Sequence, residues 1–231
     1  MDRLQTFAII APVLLFSMVA HEYAHGYAAL RQGDPTAYQL GRLTWNPLKH
    51  IDPFMTILLP TLTFFAGGFL FGGAKPVPVV PRNYRNYRRG DIIVSMAGIV
   101  SNLVLFVVCV GMYAVFGWLG QALPGAVDTF AILQVMARWG IVFNLILAMF
   151  NLLPLPPLDG SHVVKYLLPP AWALRYQQVG MYGIVVLVLL LATGVGRTVL
   201  YTWMAPAMYA RDFALQLVAP LRLTSAFTIG M

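Results

Sequence analysis

Two histidines and one glutamate lie inside an otherwise apolar run near the start of the chain, in the sequence MVAHEYAHGY at positions 18–27. His21 and His25 are four residues apart, so on an α-helix their imidazoles lie on one face and can bind one metal ion. Glu22 follows the first histidine, where its carboxylate can act on a water molecule without binding the ion itself. This spacing is the H-E-x-x-H zinc signature, which predicts metal-assisted hydrolysis.

A catalytic zinc site needs a third protein ligand, and the chain has only eight acidic residues and four histidines to supply it. Asp159 is the strongest candidate, because it lies in NLLPLPPLDGSH directly after an apolar segment. Prolines at 154, 156 and 157 should end the helix, and Gly160 allows a turn directly after the carboxylate. Because Asp-Gly is also common in ordinary turns, the assignment depends on its pairing with the two histidines.

The composition is that of an integral membrane protein. Hydrophobic residues make up 59% of the 231 residues and charged residues only 10%, whereas soluble domains carry about 25% charged residues. The net charge of +7 is explained by Lys and Arg in cytoplasmic loops, and no basic stripe with stacking aromatics indicates a nucleic-acid partner. The single cysteine excludes an internal disulfide. A carboxylate within a membrane helix costs about 2.5–3.5 kcal/mol, so the HEYAH cluster is expected to be functional.

Five to six hydrophobic segments predict an all-α polytopic membrane protein. The first five lie at about 4–30, 54–71, 92–119, 129–151 and 179–200, and the tail from Tyr201 either spans the membrane or lies at its surface. Basic loops on both sides of segment 54–71 should be cytoplasmic, so we expect that segment to be re-entrant or broken, at Pro60 and at Gly67-Gly68. We expect one domain over 1–231, with a catalytic core at about 4–165 and C-terminal helices at about 176–220.

The proline-rich sequence KPVPVVP at 75–81 predicts a short β-like loop. Pro76 and Pro78 remove the donors from one edge of an extended segment, while Val77 and Val79 keep theirs on the other edge. Such a one-sided strand can hold an unwound substrate by strand addition. A stiff polyproline connector explains the same residues equally well.

The HEYAH and NLLPLPPLDG sequences together resemble the site-2 protease family of intramembrane zinc metalloproteases, peptidase family M50, whose pattern is HExxH followed by NxxPxxxLDG. GGAKPVPV and SMAGIVSN also resemble family segments, although Ile99 stands where the family usually has proline. The resemblance implies that His21, His25 and Asp159 bind one Zn²⁺ and that Glu22 is the catalytic acid/base. It also implies that Asn151 helps to hold substrate or oxyanion. Contacts with substrate are expected from Val77, Val79 and Asn102.

The resemblance covers about 4–164, and the length leaves no room for the PDZ or CBS modules of some relatives, so we expect a minimal form. The basic loops predict that the active site lies towards the cytoplasm, and we expect the protein in the plasma membrane. The expected partners are the lipid bilayer and a membrane protein that is cut within or next to a transmembrane helix. A metal-binding transporter and a non-proteolytic, chaperone-like paralogue remain open as alternatives, and iron or cobalt remains open as the metal. We expect His162 to lie on the surface or beside the metal, and His50 to lie at the membrane interface.

Overall fold

The computed structural model describes residues 2–65 and 72–224, and within these ranges the chain is almost entirely helical and contains no β-strand. The α-helices of these ranges are α1 (Arg3–Gln32), α2 (Thr36–Gln39), α3 (Leu59–Phe65), α4 (Tyr87–Ala122), α5 (Val127–Asn151), α6 (Gly160–Val164), α7 (Pro170–Val179), α8 (Gly183–Ala192) and α9 (Gly194–Leu217). A π-helical turn, Pro53–Leu58, leads into α3. Single 3₁₀ turns occupy Pro47–Lys49, Pro81–Asn83, Pro124–Ala126, Lys165–Leu167, Gly180–Tyr182 and Ala219–Leu221.

Three helical stretches of the described chain are long and apolar enough to cross a membrane: α1, α4 and Pro124–Asn151, which contains α5. A helix of 30 residues is about 45 Å long, more than the roughly 30 Å of a bilayer's hydrocarbon core. α5 packs antiparallel along α4, and α1 packs against both. Ile141 of α5 meets Tyr113 of α4 in one buried cluster, while Leu14 of α1 meets Phe143 of α5 in another.

The segment between α1 and α4 leaves and returns at the same end of the three-helix bundle. The backbone N–H of Arg85 donates to the carbonyl of Gln32 at 2.8 Å, so the start of α4 is tied to the end of α1. The rings of Phe64 and Phe65 pack on Phe7 near the start of α1, which shows that the outgoing limb runs back along α1.

The returning limb pairs with the outgoing limb through the N–H of Gly73 and the carbonyl of Met55 at 3.0 Å. The re-entrant course of 54–71 through the membrane stays a prediction. Pro60 lies at the second position of α3, where the π-helical turn changes to an α-helix. The predicted break at Gly67-Gly68 lies outside the described residues.

Three expectations about local structure are corrected. The apolar run expected at 179–200 is divided at Thr193, whose hydroxyl accepts from the N–H of Gly196 and so begins a new helix that extends to Leu217. The expected β-like loop contains no strand: residues 72–80 are irregular. His50 is fully buried rather than interfacial, and its Nε2 bonds to the carbonyl of Thr44 at 2.9 Å.

Candidate metal centre

Two histidines of α1 and an aspartate from a distant part of the sequence bring three candidate ligand atoms together. Nε2 of His21 lies 3.0 Å from Nε2 of His25, and each of these nitrogens lies 3.2 Å from Oδ2 of Asp159. A tetrahedral zinc ion with bonds of about 2.0–2.1 Å separates its ligands by about 3.3 Å. The triangle therefore has the size of one face of a zinc coordination shell, with the fourth position open.

The loop after α5 folds back tightly enough to point Asp159 at α1. α5 ends at Asn151, and the prolines that follow cannot continue the helix. Gly160 then packs against the end of α5, where an added Cβ would lie 2.3 Å from the carbonyl oxygen of Leu152. An aspartate binds a metal ion in its carboxylate form.

The second ring nitrogen of each histidine is held by an oxygen atom. Nδ1 of His25 lies 2.7 Å from the carbonyl oxygen of Val94, and Nδ1 of His21 lies 2.6 Å from Oδ1 of Asn102. Because these oxygens accept, each neutral imidazole carries its hydrogen on Nδ1 and directs the lone pair of Nε2 at the triangle. The buried Oδ2 of Asp159 accepts no hydrogen bond. Three converging lone pairs repel one another unless a cation lies between them, so the donor set fits zinc.

Gly98 of α4 provides the space beside the two histidines. A Cβ at this position would lie 2.5 Å from Cε1 of His21 and 2.5 Å from Nε2 of His25. Non-bonded heavy atoms do not approach this closely without steric overlap. Any larger residue at this position would therefore displace the imidazoles. The absence of a side chain at Gly98 therefore keeps both ligand atoms in position.

Glu22 is held by the proline-rich loop rather than by the histidines. Its Oε2 accepts a hydrogen bond from the backbone N–H of Val77 at 2.7 Å. The interpretation of the loop as a free donor edge is therefore wrong for Val77, because that N–H is already engaged within the chain and its side chain is buried. The side chain of Val79 packs beside Ala29 and Tyr84.

The two candidate asparagines occupy different environments. Asn151 is the last residue of α5, partly buried, and its Nδ2 donates to the carbonyl of Leu147 at 2.9 Å. Asn102 is fully buried and bonds to His21, so the expected contact with substrate is not compatible with its position. Asn102 instead orients His21 through this hydrogen bond.

The sequence did not single out the acidic residue that anchors the loop after Asp159. Asp91 of α4 is 2% exposed and lies 2.5 Å from Nζ of Lys165, which is also buried. It accepts from the hydroxyl of Tyr166 at 2.9 Å and lies 3.1 Å from Nδ1 of His162. His162 therefore contacts Asp91, with about a third of its side chain exposed. These contacts tie the segment after Asp159 to the first turns of α4.

A second buried acid fixes the proline-rich loop. Asp34, directly after the end of α1, is fully buried and accepts from the backbone N–H groups of Thr36 and Val80 and from Nδ2 of Asn83. Burial raises the pKa of Asp34, but hydrogen bonds from the Thr36 hydroxyl and from these three groups lower it by more, so the net pKa lies below the ordinary value. Asp34 thereby holds the end of the loop that carries Val77.

Comparison with known proteins agrees with this geometry. The family model for peptidase family M50 matches residues 9–191, which include both histidines, the glutamate and Asp159. The chain belongs to peptidase family M50. It is similar to a Bacillus subtilis protein named "Putative zinc metalloprotease YwhC", with 40% identity over 198 residues that cover 86% of this chain and 85% of the relative.

Further relatives of this M50 member carry the same kind of name. A Mycolicibacterium smegmatis protein named "Putative zinc metalloprotease Rip2" is 34% identical over 195 residues, covering 81% of this chain and 68% of the relative. A Synechocystis protein named "Putative zinc metalloprotease sll0528" is 32% identical over 158 residues, covering 68% of this chain and 31% of the relative. No solved structure matches the chain significantly. The chain is therefore a zinc metalloprotease of the site-2 protease family and an integral membrane protein.

Proposed function

We propose that this M50 protease hydrolyses peptide bonds within or next to the transmembrane helices of membrane-protein substrates. The observation that carries the proposal is the convergence of His21, His25 and Asp159 beside helices that are long and apolar enough to span a membrane. A hydrolytic site in such surroundings is most directly reached by a substrate that itself lies in the bilayer.

We assign His21, His25 and Asp159 as the ligands of one Zn²⁺, which supplies Lewis acidity that acidifies water and polarises a carbonyl group. Glu22 accepts the proton of the attacking water and passes it to the departing amine. Nδ2 of Asn151 has two hydrogens, of which one bonds to the carbonyl of Leu147. Its second hydrogen is assigned to the carbonyl oxygen of the substrate, on which negative charge develops.

The substrate must be extended at the cleaved bond, because a helix engages its own carbonyl groups in hydrogen bonds. We keep Val79 as the proposed backbone contact to an extended substrate, since the N–H of Val77 is engaged by Glu22. We further propose that 4–165 form the catalytic core and 176–220 the C-terminal helices of one domain. We propose that the protein lies in the plasma membrane, and basic residues at 31–49 and 82–89 favour a cytoplasmic location for this end of the bundle.

The proposal is tested with the protein purified in detergent and a panel of single-span membrane proteins as candidate substrates. We expect the wild type to cleave one or more of them, and Glu22→Gln to bind zinc without cleaving. Full cleavage by Glu22→Gln would overturn the assignment of the base. Metal flux into vesicles without any cleavage would favour the transporter alternative.

A further inference from the structure

A network of hydrogen-bonded, buried polar side chains extends from the metal centre and connects all three long helices. Asn102 of α4 bonds to His21 of α1, and its Nδ2 donates to Oδ1 of Asn144 on α5 at 2.8 Å. Nδ2 of Asn144 in turn donates to Oγ of Ser17 on α1 at 3.0 Å. Asn102, Asn144 and Ser17 are at most 1% exposed, so bulk water cannot replace these partners.

Backbone carbonyl groups, which can only accept, determine the direction of every hydrogen bond in this side-chain network. Nδ2 of Asn144 also donates to the carbonyl of Gly140 at 2.8 Å, and the hydroxyl of Ser17 donates to the carbonyl of Val13 at 3.0 Å. With the hydrogen of Ser17 engaged, its oxygen accepts from Asn144. Asn144 must therefore present its nitrogen to Gly140 and Ser17 and its oxygen to Asn102.

The same constraint passes through Asn102 to the histidine. Because Asn144 offers an oxygen, Asn102 must present its nitrogen there, and its nitrogen also lies 3.4 Å from the carbonyl of Ser17. Its own oxygen is then directed at Nδ1 of His21, which must carry the ring hydrogen. The lone pair of His21 consequently lies on Nε2, the atom that faces His25 and Asp159.

We propose that Asn144 and Ser17 are positioning residues of the metal centre, which act through Asn102 to fix the tautomer and orientation of His21. The inference rests on the proposed role of His21 as a zinc ligand. Neither residue touches the ligand triangle, and neither belongs to the HEYAH or NLLPLPPLDG sequence. His25 is not oriented through such a network, because its Nδ1 bonds directly to the backbone carbonyl of Val94.

The test compares the zinc affinity of the wild type with that of Asn144→Leu, which has similar volume but neither accepts from Asn102 nor donates to Gly140. Partners of metal-binding histidines are worth about 10- to 100-fold in metal affinity, and we expect a loss in this range by competition with a chelator. We also expect a changed visible absorption spectrum in the cobalt-loaded protein, because His21 can then rotate. Asn144→Asp, protonated in this buried position, keeps one acceptor and one donor and should recover much of the affinity.

Gln134→Leu is the matched control. Gln134 is also a buried amide of α5, 2% exposed, but it bonds to the carbonyls of Tyr113 and Leu221 and to the N–H of Leu223, away from the metal centre. We expect Gln134→Leu to lower the melting temperature of the metal-free protein as much as Asn144→Leu does, while leaving zinc affinity and the cobalt spectrum unchanged.

Wild-type zinc affinity in folded Asn144→Leu would overturn the proposal that Asn144 positions His21. If Asn144→Leu does not fold, Ser17→Ala decides, because alanine is well tolerated in helices and removes only the hydroxyl. We expect Ser17→Ala to bind zinc several-fold more weakly, and unchanged binding would overturn the proposal. A wild type that binds no zinc would instead refute the proposed function, so the two failures are distinguishable.

Discussion

The backbone N–H of Val77 donates to the carboxylate of Glu22 at 2.7 Å, so the loop before α4 holds the proposed catalytic base. A hydrogen bond to a charged group contributes about 1.5–3 kcal/mol, which corresponds to roughly 10- to 100-fold in rate when it is lost from a catalytic group. The base is therefore positioned by a part of the chain that lies more than 50 residues away in sequence.

Replacing Val77 by proline tests whether its backbone N–H positions Glu22. Val77 lies between Pro76 and Pro78, so Val77→Pro continues an extended run and removes the N–H that Glu22 accepts. We expect zinc stoichiometry to be unchanged and kcat/KM for a membrane substrate to fall about 10- to 100-fold. The comparison variant is Val79→Pro, which impairs cleavage if Val79 pairs with substrate. Full activity in Val77→Pro would contradict the positioning of Glu22 by this loop.

Gly98 provides a steric test of the metal centre. An alanine at this position would bring its Cβ within 2.5 Å of both imidazoles, so we expect Gly98→Ala to lose most zinc binding and all cleavage. Gly111→Ala on the same helix is the control, since an added Cβ at Gly111 meets no atom within 4 Å. Zinc content is measured per mole of purified protein. Equal zinc content in the two variants would show that His21 and His25 do not bind the ion in this arrangement.

The ion pair between Asp91 and Lys165 should stabilise the loop that carries Asp159. Lys165→Met leaves a buried carboxylate without its cation, a change that typically destabilises by about 3–5 kcal/mol. We expect a lower melting temperature and weaker zinc binding, because the segment after Asp159 is released from α4. The double variant Asp91→Asn with Lys165→Met removes the uncompensated charge and should recover part of the melting temperature. No recovery would mean that the lost packing of the lysine, rather than the uncompensated buried charge of Asp91, explains the effect.

Asp34 predicts how the fold responds to acid. Its pKa is lowered in the folded protein, so its hydrogen bonds stabilise the fold at pH values above the unfolded pKa of about 4, and this contribution is lost as the pH falls through the lower folded value. We expect the melting temperature of the wild type to fall below about pH 4 more steeply than that of Asp34→Asn. Parallel acid profiles of the two proteins would contradict this role.

The convergence of His21, His25 and Asp159 was predictable because each of these residues has a local signal. His21 and His25 share a helix face by their spacing alone, and Asp159 stands between a run of prolines and a glycine that must interrupt a helix. The charges of the basic loops on both sides of segment 54–71 predicted that the chain leaves and returns at one end of the bundle, as the contact between Arg85 and Gln32 shows. These features depend on neighbours in sequence, so the pattern of residue types is sufficient to predict them.

The residues that support the site have no such signal. Asn144 and Ser17 are single polar residues in apolar helices, and their partners are determined by how α1, α4 and α5 pack. In the sequence Asp91 resembles an ordinary residue near the start of a helix. Its role depends on the ion pair with Lys165, which is distant in sequence. The helix boundary at Thr193 was missed because hydropathy does not register a hydroxyl cap. Tertiary packing, not local propensity, assigns these contacts.

The most direct test of the account is X-ray absorption at the zinc edge, combined with zinc content, on the purified protein and on Asp159→Ala. We predict about one zinc per chain, bound by two imidazoles and by oxygen ligands at about 2.0–2.1 Å in the wild type, and a greatly reduced zinc content in Asp159→Ala. The same coordination spectrum and full zinc content in Asp159→Ala would contradict the shared site of His21, His25 and Asp159.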